Sequence, residues 1–279
     1  SISYLLEQPW EEKSNTAILD EIDLDPNDIT EVIFTSGTTG EPKGVLHTHN
    51  TLCISTNYWI ERLRLTSNDV MFMASTFGHQ TGFGYGVRLP AHIGGTAVYQ
   101  DIWNPKEFVE LIQKENITFT AGATPFLQDF VSLEGIENQD IRSFRVFVAL
   151  GAPIPRQLVK EAKQKLAFKI LSGWGQTENG LVTLTHLHDT EEKLTGTDGY
   201  PFPGMELQVV DLNGNPCPAN VEGSLLCRGP ALFIGYLKRL DLTTTDFTED
   251  GWFITGDRAI MDEDGYIRIT GRNKDIIIR

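Results

Sequence analysis

The sequence predicts an α/β protein: a mostly parallel sheet layered with helices, followed by a small antiparallel β-barrel-like subdomain. Three observations predict it. From residue 31 to 195, short apolar runs rich in β-branched and aromatic residues alternate with amphipathic helical stretches. Such alternation gives parallel strands joined by helical crossovers. From residue 196 the helical periodicity disappears, and short strand-like runs are separated by turn signals. Polar, glycine-bearing clusters follow several strand candidates, and ligands bind at the carboxyl ends of strands in such sheets.

The elements follow in order. Residues 1–30 read as a lead-in. Its segment LDEIDLDPND (19–28) is acidic and turn-rich, the composition of a solvated linker. Residues 32–35, 70–74, 96–99, 117–120, 145–150 and 168–171 read as buried strands. PKEFVELIQKE (105–115) reads as a helix, with apolar residues at 108, 109, 111 and 112 and an Asn-Pro start at 104–105. Residues 155–166 form a second helix, with Pro155 in its first turn and apolar residues at 158, 159, 162 and 166. In the β part, residues 206–211, 223–228, 252–255 and 266–270 read as strands between the turns NGNP (213–216), EDG (249–251) and EDG (263–265).

Composition sets outer limits. The chain has 279 residues, 40% hydrophobic and 22% charged, too apolar for a disordered chain. That length buries a core without help from disulfides or a metal. Lys plus Arg is 23 and Asp plus Glu is 38, a net charge of −15, which argues against a nucleic-acid or anionic-membrane surface. A small anion held by local backbone N–H groups remains compatible. Cys53, Cys217 and Cys227 are odd in number, far apart and contain no C-x-x-C pair. This fits a reducing, cytoplasmic compartment and excludes a disulfide scaffold or cysteine-rich zinc module. No apolar run approaches the roughly 20 residues of a membrane span. No signal peptide is visible, and the missing initiator Met reads as a processed or excised piece.

Four clusters carry chemistry. TSGTTGEPKG (35–44) packs three glycines, four hydroxyl residues and Lys43 into ten positions after a strand candidate. Backbone N–H groups and the hydroxyls of Ser36, Thr38 and Thr39 suit phosphate oxygens, and Lys43 adds a mobile positive charge. The alternative is a flexible hairpin loop. It is not a Walker loop, because no Gly-Lys-Ser/Thr occurs. SGWGQTE (172–178) reads as a strand-end loop, with Trp174 as a flat face for a base, Thr177 as a hydroxyl donor and Glu178 as a hard oxygen ligand for Mg²⁺. Gly151, Ala152 and Pro153 form a tight turn against which a base edge could lie. GWFITGD (251–257) and GRNKD (271–275) offer Asp257 for a ribose diol and Arg272 for ribose or phosphate, or else an ordinary surface pair. The His47/His49 and His186/His188 pairs have strand-face spacing for a metal but no third ligand nearby in sequence.

Taken together, TSGTTGEPKG, GAP (151–153), GWGQTE (173–178), GWFITGD and GRNKD resemble the ordered core motifs of the adenylate-forming enzymes, which include acyl-CoA synthetases, adenylation domains and luciferases. The resemblance runs from about residue 30 to the end, and GYPFPGMELQVVD (199–211) resembles the entry into that family's β subdomain. It implies activation of a carboxylic acid with ATP and Mg²⁺ to an acyl-adenylate, and then thioester formation with coenzyme A. It assigns Thr35, Ser36, Gly37, Thr38, Thr39, Gly40 and Lys43 to the pyrophosphate end of ATP. Gly151, Ala152, Pro153 and Trp174 would border adenine, and Gly173, Gly175 and Gln176 belong to the same ATP site. Thr177 would touch the α-phosphate, Glu178 would ligate Mg²⁺, and Asp257 and Arg272 would hold ribose.

By the same resemblance His79 borders the carboxylate and acyl pocket, although on its own it reads as a packed histidine. Thr124, Pro125, Phe126, Gly180 and Leu181 are assigned to the acyl-pocket wall. FGH (77–79) offers no carboxylate for a substrate amine, which favours a small or medium non-amino acid. Gln176 resembles the CoA-ligase branch. Loading of a carrier protein and a non-catalytic nucleotide-binding module are the alternatives. The family extends beyond both ends of this sequence, and Lys274 resembles its hinge. The expectation is therefore a large-domain fragment, inactive alone, with residues 272–279 as hinge and start of a further domain.

Overall fold

The computed structural model describes residues 23–35, 41–151 and 154–273. Residues 1–22 of the lead-in, Ser36, Gly37, Thr38, Thr39 and Gly40 of the glycine-rich segment, Ala152, Pro153 and Lys274 lie outside the described residues. Strand β1 (Ile29–Thr35) pairs antiparallel with β2 (Lys43–Thr48), so the two strands flank the glycine-rich segment. Residues 32–35 were expected in the parallel sheet, and this is a correction. Glu31 and Ile33 point inward while Val32 and Phe34 are exposed. One-sided burial of this kind belongs to an antiparallel pair, not to a central parallel strand.

Helix α1 (His49–Leu63) follows directly. Thr48 and Thr51 cap it reciprocally: the Thr51 N–H donates to the Thr48 hydroxyl and the Thr48 N–H to the Thr51 hydroxyl. It ends at Arg64, which is left-handed at φ 54°. The sequence pattern did not single out this helix.

The main sheet has seven strands: β3 (Val70–Met73), β4 (Thr96–Tyr99), β5 (Phe119–Ala123), β6 (Val146–Leu150), β7 (Lys169–Gln176), β8 (Gly180–Leu184) and β9 (Tyr200–Pro201). Their spatial order is β4-β3-β5-β6-β7-β8-β9. The five strands from β4 to β7 are parallel, while β8 and β9 continue the sheet antiparallel. A π-helical segment (Thr81–Arg88) and α2 (Leu89–Ile93) connect β3 to β4. Helix α3 (Pro105–Glu115) has the expected Asn104 cap, which accepts from the N–H groups of Lys106 and Glu107. Helix α4 (Thr124–Val131) was not expected; α5 (Arg156–Lys165) was. Helix α6 (Glu191–Gly196) joins β8 to β9.

The second sheet is antiparallel, in the order β10 (Glu206–Val210), β11 (Gly223–Arg228), β13 (Phe253–Met261) and β14 (Ile267–Arg272). The short β12 (Gly235–Tyr236) instead joins the first hairpin, pairing with β2. A six-residue helix, α7 (Leu240–Thr245), lies in the region where no helical periodicity was found.

Both faces of the main sheet are buried. On β6, Val146 and Val148 enter one core while Phe147 and Ala149 enter the other. The first core runs without a break from Trp59 of α1 through Trp174 and Leu184 to Val209, Leu225, Ala259 and Ile267 of the antiparallel sheet. The antiparallel sheet therefore shares its core with the parallel one.

Asp69 locks the start of β3. Its carboxylate accepts from Arg145 at 2.8 Å, from the Thr118 hydroxyl at 2.8 Å and from the Thr66 N–H at 2.8 Å. Burial alone would push its pKa up, but these donors together hold it below its ordinary value of 3.8. A depressed folded pKa stabilises the fold above the unfolded value and ceases to do so as pH falls through the folded value. Asp69→Asn is expected to cost about 2 kcal/mol at neutral pH. Denaturant melts of both proteins should show that gap closing as pH drops below 3.8. A gap independent of pH would contradict this.

Candidate active site

The residues singled out by sequence divide into two clusters joined by the segment 174–178. The first surrounds Tyr236. Lys43 opens β2, where its register partner is Thr35. The Thr35 hydroxyl donates to the Lys43 carbonyl at 3.4 Å. The Lys43 ammonium lies 4.2 Å from the centre of the Tyr236 ring and donates to the Tyr236 oxygen at 3.1 Å and to Asp246 Oδ2 at 3.4 Å. The Tyr236 hydroxyl also lies 3.0 Å from Glu178 Oε1 and 3.1 Å from Asp246 Oδ2. It has one proton for two carboxylates. Burial and both carboxylates push its pKa up, so the phenol stays protonated. Two anions and one cation are thus gathered around one neutral hydroxyl. Tyr236 and Asp246 were missed in the sequence. Tyr236 sits in a two-residue strand and Asp246 just beyond a six-residue helix, neither of which has a periodic signature.

The second cluster surrounds Asp257, which is 4% exposed. Its Oδ2 accepts from Trp174 Nε1 at 2.8 Å and Gln176 Nε2 at 3.1 Å. Its Oδ1 pairs with Arg272 Nε at 3.1 Å. Burial pushes the Asp257 pKa up, against the pull of Trp174, Arg272 and Gln176. Asp257 and Arg272 are register partners on β13 and β14. The pair is therefore half buried, with only the Arg272 side chain open at 59% exposure. The reading of two surface turn residues is corrected on that point.

The connecting segment is strand through Gln176, not the loop expected from residue 172 onward. It passes the end of β6 and there finds β8 as its partner. Gly175 permits this, since a Cβ at that position would lie 1.9 Å from the Gly180 carbonyl oxygen. Trp174 and Gln176, two apart on a strand, project to the same side and both reach Asp257. Trp174 is 7% exposed and packs in the first core. Its indole secures Asp257 and is not an open flat face.

The chain then turns. The Gln176 N–H donates to Asn179 Oδ1 at 2.6 Å. The Thr177 carbonyl accepts from His47 Nε2 at 2.7 Å, and the Glu178 carbonyl from the Phe233 N–H at 2.7 Å. Gly173 lies deeper in β7 within the core, and Gly151 follows β6 at φ 80°, where an added Cβ would meet no atom of the described residues within 4 Å.

The acyl-pocket residues are placed unevenly. His79 is exposed rather than packed, and its Nδ1 accepts from the Thr81 N–H at 3.1 Å. Thr124 is buried at the start of α4, Pro125 is exposed, and Phe126 stacks on Trp103 at 4.8 Å. Gly180 faces Ser55 of α1. Leu181 is 1% exposed inside the first core, so its side chain is core and not an open wall. His47 is buried with both ring nitrogens engaged, and among the described residues no group of three or more His, Cys, Asp or Glu could hold a metal.

A family model described as AMP-binding enzyme matches residues 3–237. The chain belongs to the AMP-binding enzyme family. It is 39% identical over 265 residues to the medium-chain fatty-acid–CoA ligase of Escherichia coli strain K12, covering 95% of this chain and 47% of that protein. It is 31% identical to the human medium-chain acyl-CoA ligase ACSF2, mitochondrial, covering 92% of this chain and 43% of the other. The ATP-bound crystal structure of MatB from Rhodopseudomonas palustris superposes with a TM-score of 0.86 at 27% identity, over 92% of this chain and 50% of that one. The chain spans about half the length of the curated relatives it matches.

The donor set of this AMP-binding enzyme fits ATP and Mg²⁺. Glu178 and Asp246 supply hard oxygens and Lys43 an ammonium. Gln176 Oε1 and Asn179 Nδ2, both buried at the turn, have no hydrogen-bond partner among the described residues. Buried polar atoms of this kind are costly unless something completes them.

Proposed function

We propose that this AMP-binding enzyme activates a small or medium non-amino carboxylic acid with ATP and passes the acyl group to coenzyme A. The observation that carries the reading is the Tyr236 cluster: it gathers the phosphate-loop lysine and the Glu178 carboxylate at one hydroxyl, and the segment 174–178 links it to the half-buried Asp257–Arg272 pair. In the first step a substrate carboxylate oxygen bonds to the α-phosphorus of ATP, and the bond to pyrophosphate breaks. In the second, a thiol sulfur bonds to the acyl carbon, its proton goes to solvent, and AMP leaves.

Both steps develop charge on phosphate oxygens, and Mg²⁺ bound at Glu178 would neutralise part of it. The chain's own residues do the rest. Lys43 and the glycine-rich segment with Thr35, Ser36, Gly37, Thr38, Thr39 and Gly40 donate to the pyrophosphate end. Thr177 donates toward the α-phosphate. Asp257 accepts from the ribose diol and Arg272 reaches across it. Gly151, Ala152 and Pro153 border adenine with the backbone of Gly173, Trp174, Gly175 and Gln176. His79, Thr124, Pro125, Phe126 and Gly180 line the acyl side.

The same reading treats residues 31–195 and 196–271 as subdomains and Lys274 as the hinge. It places the protein in the cytoplasm, which the three free cysteines support. No helix among the described residues is long and apolar enough to cross a membrane.

The test is acid-dependent exchange of labelled pyrophosphate into ATP by the full-length protein with Mg²⁺. The panel comprises aliphatic, alicyclic, aromatic and amino acids. Exchange with an aliphatic or other non-amino acid is expected. Exchange only with amino acids overturns the substrate class. No exchange while ATP still binds overturns catalysis and leaves a nucleotide-binding module. A comparison of CoA with carrier protein as acceptor settles the second step.

A further inference from the structure

We propose that His47 is a positioning residue that fixes the Thr177 peptide, and through it the aim of the Thr177 hydroxyl and the Glu178 carboxylate; this rests on the function proposed above. His47 is 1% exposed on β2, and its Nε2 lies 2.7 Å from the Thr177 carbonyl oxygen. A carbonyl only accepts, so Nε2 carries the hydrogen. The other ring nitrogen, Nδ1, lies 3.0 Å from the Thr51 hydroxyl. In the neutral ring Nδ1 has a free lone pair, and the single Thr51 hydroxyl proton lies between it and the Thr48 carbonyl, which is 3.1 Å from the hydroxyl.

Thr51 is itself held in the reciprocal cap of α1, because its hydroxyl oxygen accepts from the Thr48 N–H at 3.1 Å. The imidazole is thus anchored at one end to a helix start and at the other to the site's turn. The next carbonyl along, that of Glu178, is held by the Phe233 N–H at 2.7 Å. Two successive peptides are therefore fixed, one by a side chain and one by backbone. Only the first depends on a side chain, so a substitution that leaves the backbone unchanged can release it alone. A freed Thr177 peptide rotates, and small misplacements of reacting groups cost rate steeply.

The variants separate the two ring contacts. Glutamine places an N–H near the position of Nε2 and keeps the bond to Thr177. Asparagine reaches only as far as Nδ1, and leucine keeps neither contact. In the full-length protein H47N and H47L are expected to lower pyrophosphate exchange by about 10–100-fold, mainly in kcat, with a raised Mg²⁺ requirement. H47Q is expected to stay within about threefold of wild type, the small residue of a contact kept but less rigidly held. Equal activity of H47N and H47Q in folded protein overturns the proposal.

A second readout needs no substitution and no turnover. The ¹⁵N spectrum of histidine-labelled wild type should show His47 as the Nε2–H tautomer. An Nδ1–H tautomer overturns the proposal even if the leucine and asparagine variants fail to fold. Wild-type exchange separates the two readings: its absence with every acid sinks the proposed function, while the tautomer still tests His47.

Discussion

Glutamine in place of Glu178 is expected to lower acid-dependent pyrophosphate exchange by about 10²–10³-fold with little change in melting temperature. The asymmetry comes from the geometry. Glutamine keeps the shape, and its carbonyl oxygen still accepts the Tyr236 hydroxyl that lies 3.0 Å from Glu178 Oε1. The backbone bond to Phe233 does not involve the side chain at all. What disappears is one negative charge. Lys43 is then left with Asp246, 3.4 Å away, as its remaining anion in the cluster. A divalent cation meets one carboxylate where there were two. The Mg²⁺ concentration for half-maximal exchange should rise sharply, whereas ATP binding measured by calorimetry without metal should change little. An E178Q protein that keeps half its activity at low Mg²⁺ would remove Glu178 from the reaction.

Asp257→Ala should produce the largest stability loss, roughly 3 kcal/mol, and a melting temperature lower by about 5–10 °C. The carboxylate is the shared acceptor of Trp174 Nε1, Gln176 Nε2 and Arg272 Nε. Alanine leaves the indole N–H buried without a partner and frees the strand that leads into Thr177 and Glu178. Exchange activity should therefore fall with stability.

Asp257→Asn separates charge from shape. Burial raises the folded pKa of Asp257 above its ordinary 3.8. A raised folded value means the carboxyl stabilises the fold fully below the unfolded pKa, and that contribution is lost as pH rises through the folded value. The deficit of D257N relative to wild type should accordingly be largest at acid pH and narrow toward neutrality. This is the opposite of the trend expected for Asp69. A deficit that widens with pH would show that the ion pair with Arg272 outweighs desolvation.

How much of this was legible in the sequence depends on whether the information was local. Helices α3 and α5 were readable because Asn104, Pro105 and Pro155 punctuate a 3.6-residue apolar pattern. Helix α1 was not, because Thr51, Ser55 and Thr56 occupy its buried face beside Leu52, Trp59 and Leu63. Small polar residues erase the stripe, although the hydroxyls of Thr51 and Thr56 find partners in the helix and its cap. Strand β7 was cut short at residue 171 because SGWGQ has few β-formers, and only the arrival of β8 makes it a strand. Lys43, Glu178, Asp257 and Arg272 stood out through the motifs that contain them. Their mutual arrangement did not: Lys43 meets Tyr236 across 193 positions, and no window of sequence records that encounter.

That distance also has a consequence in time. The hairpin of β1 and β2 is finished only when β12 arrives to pair with Val45 and Leu46. At roughly 5–20 residues per second of synthesis, the intervening chain takes about 10–40 s to emerge from the ribosome. Throughout that wait the outer edge of β2 offers unpaired backbone groups to any passing strand. Newly made chains are thus exposed to mispairing at the very segment that bears Lys43. Substitutions at Gly235 or Tyr236 that delay docking should register first as a poorer yield of soluble protein, before any catalytic assay is run.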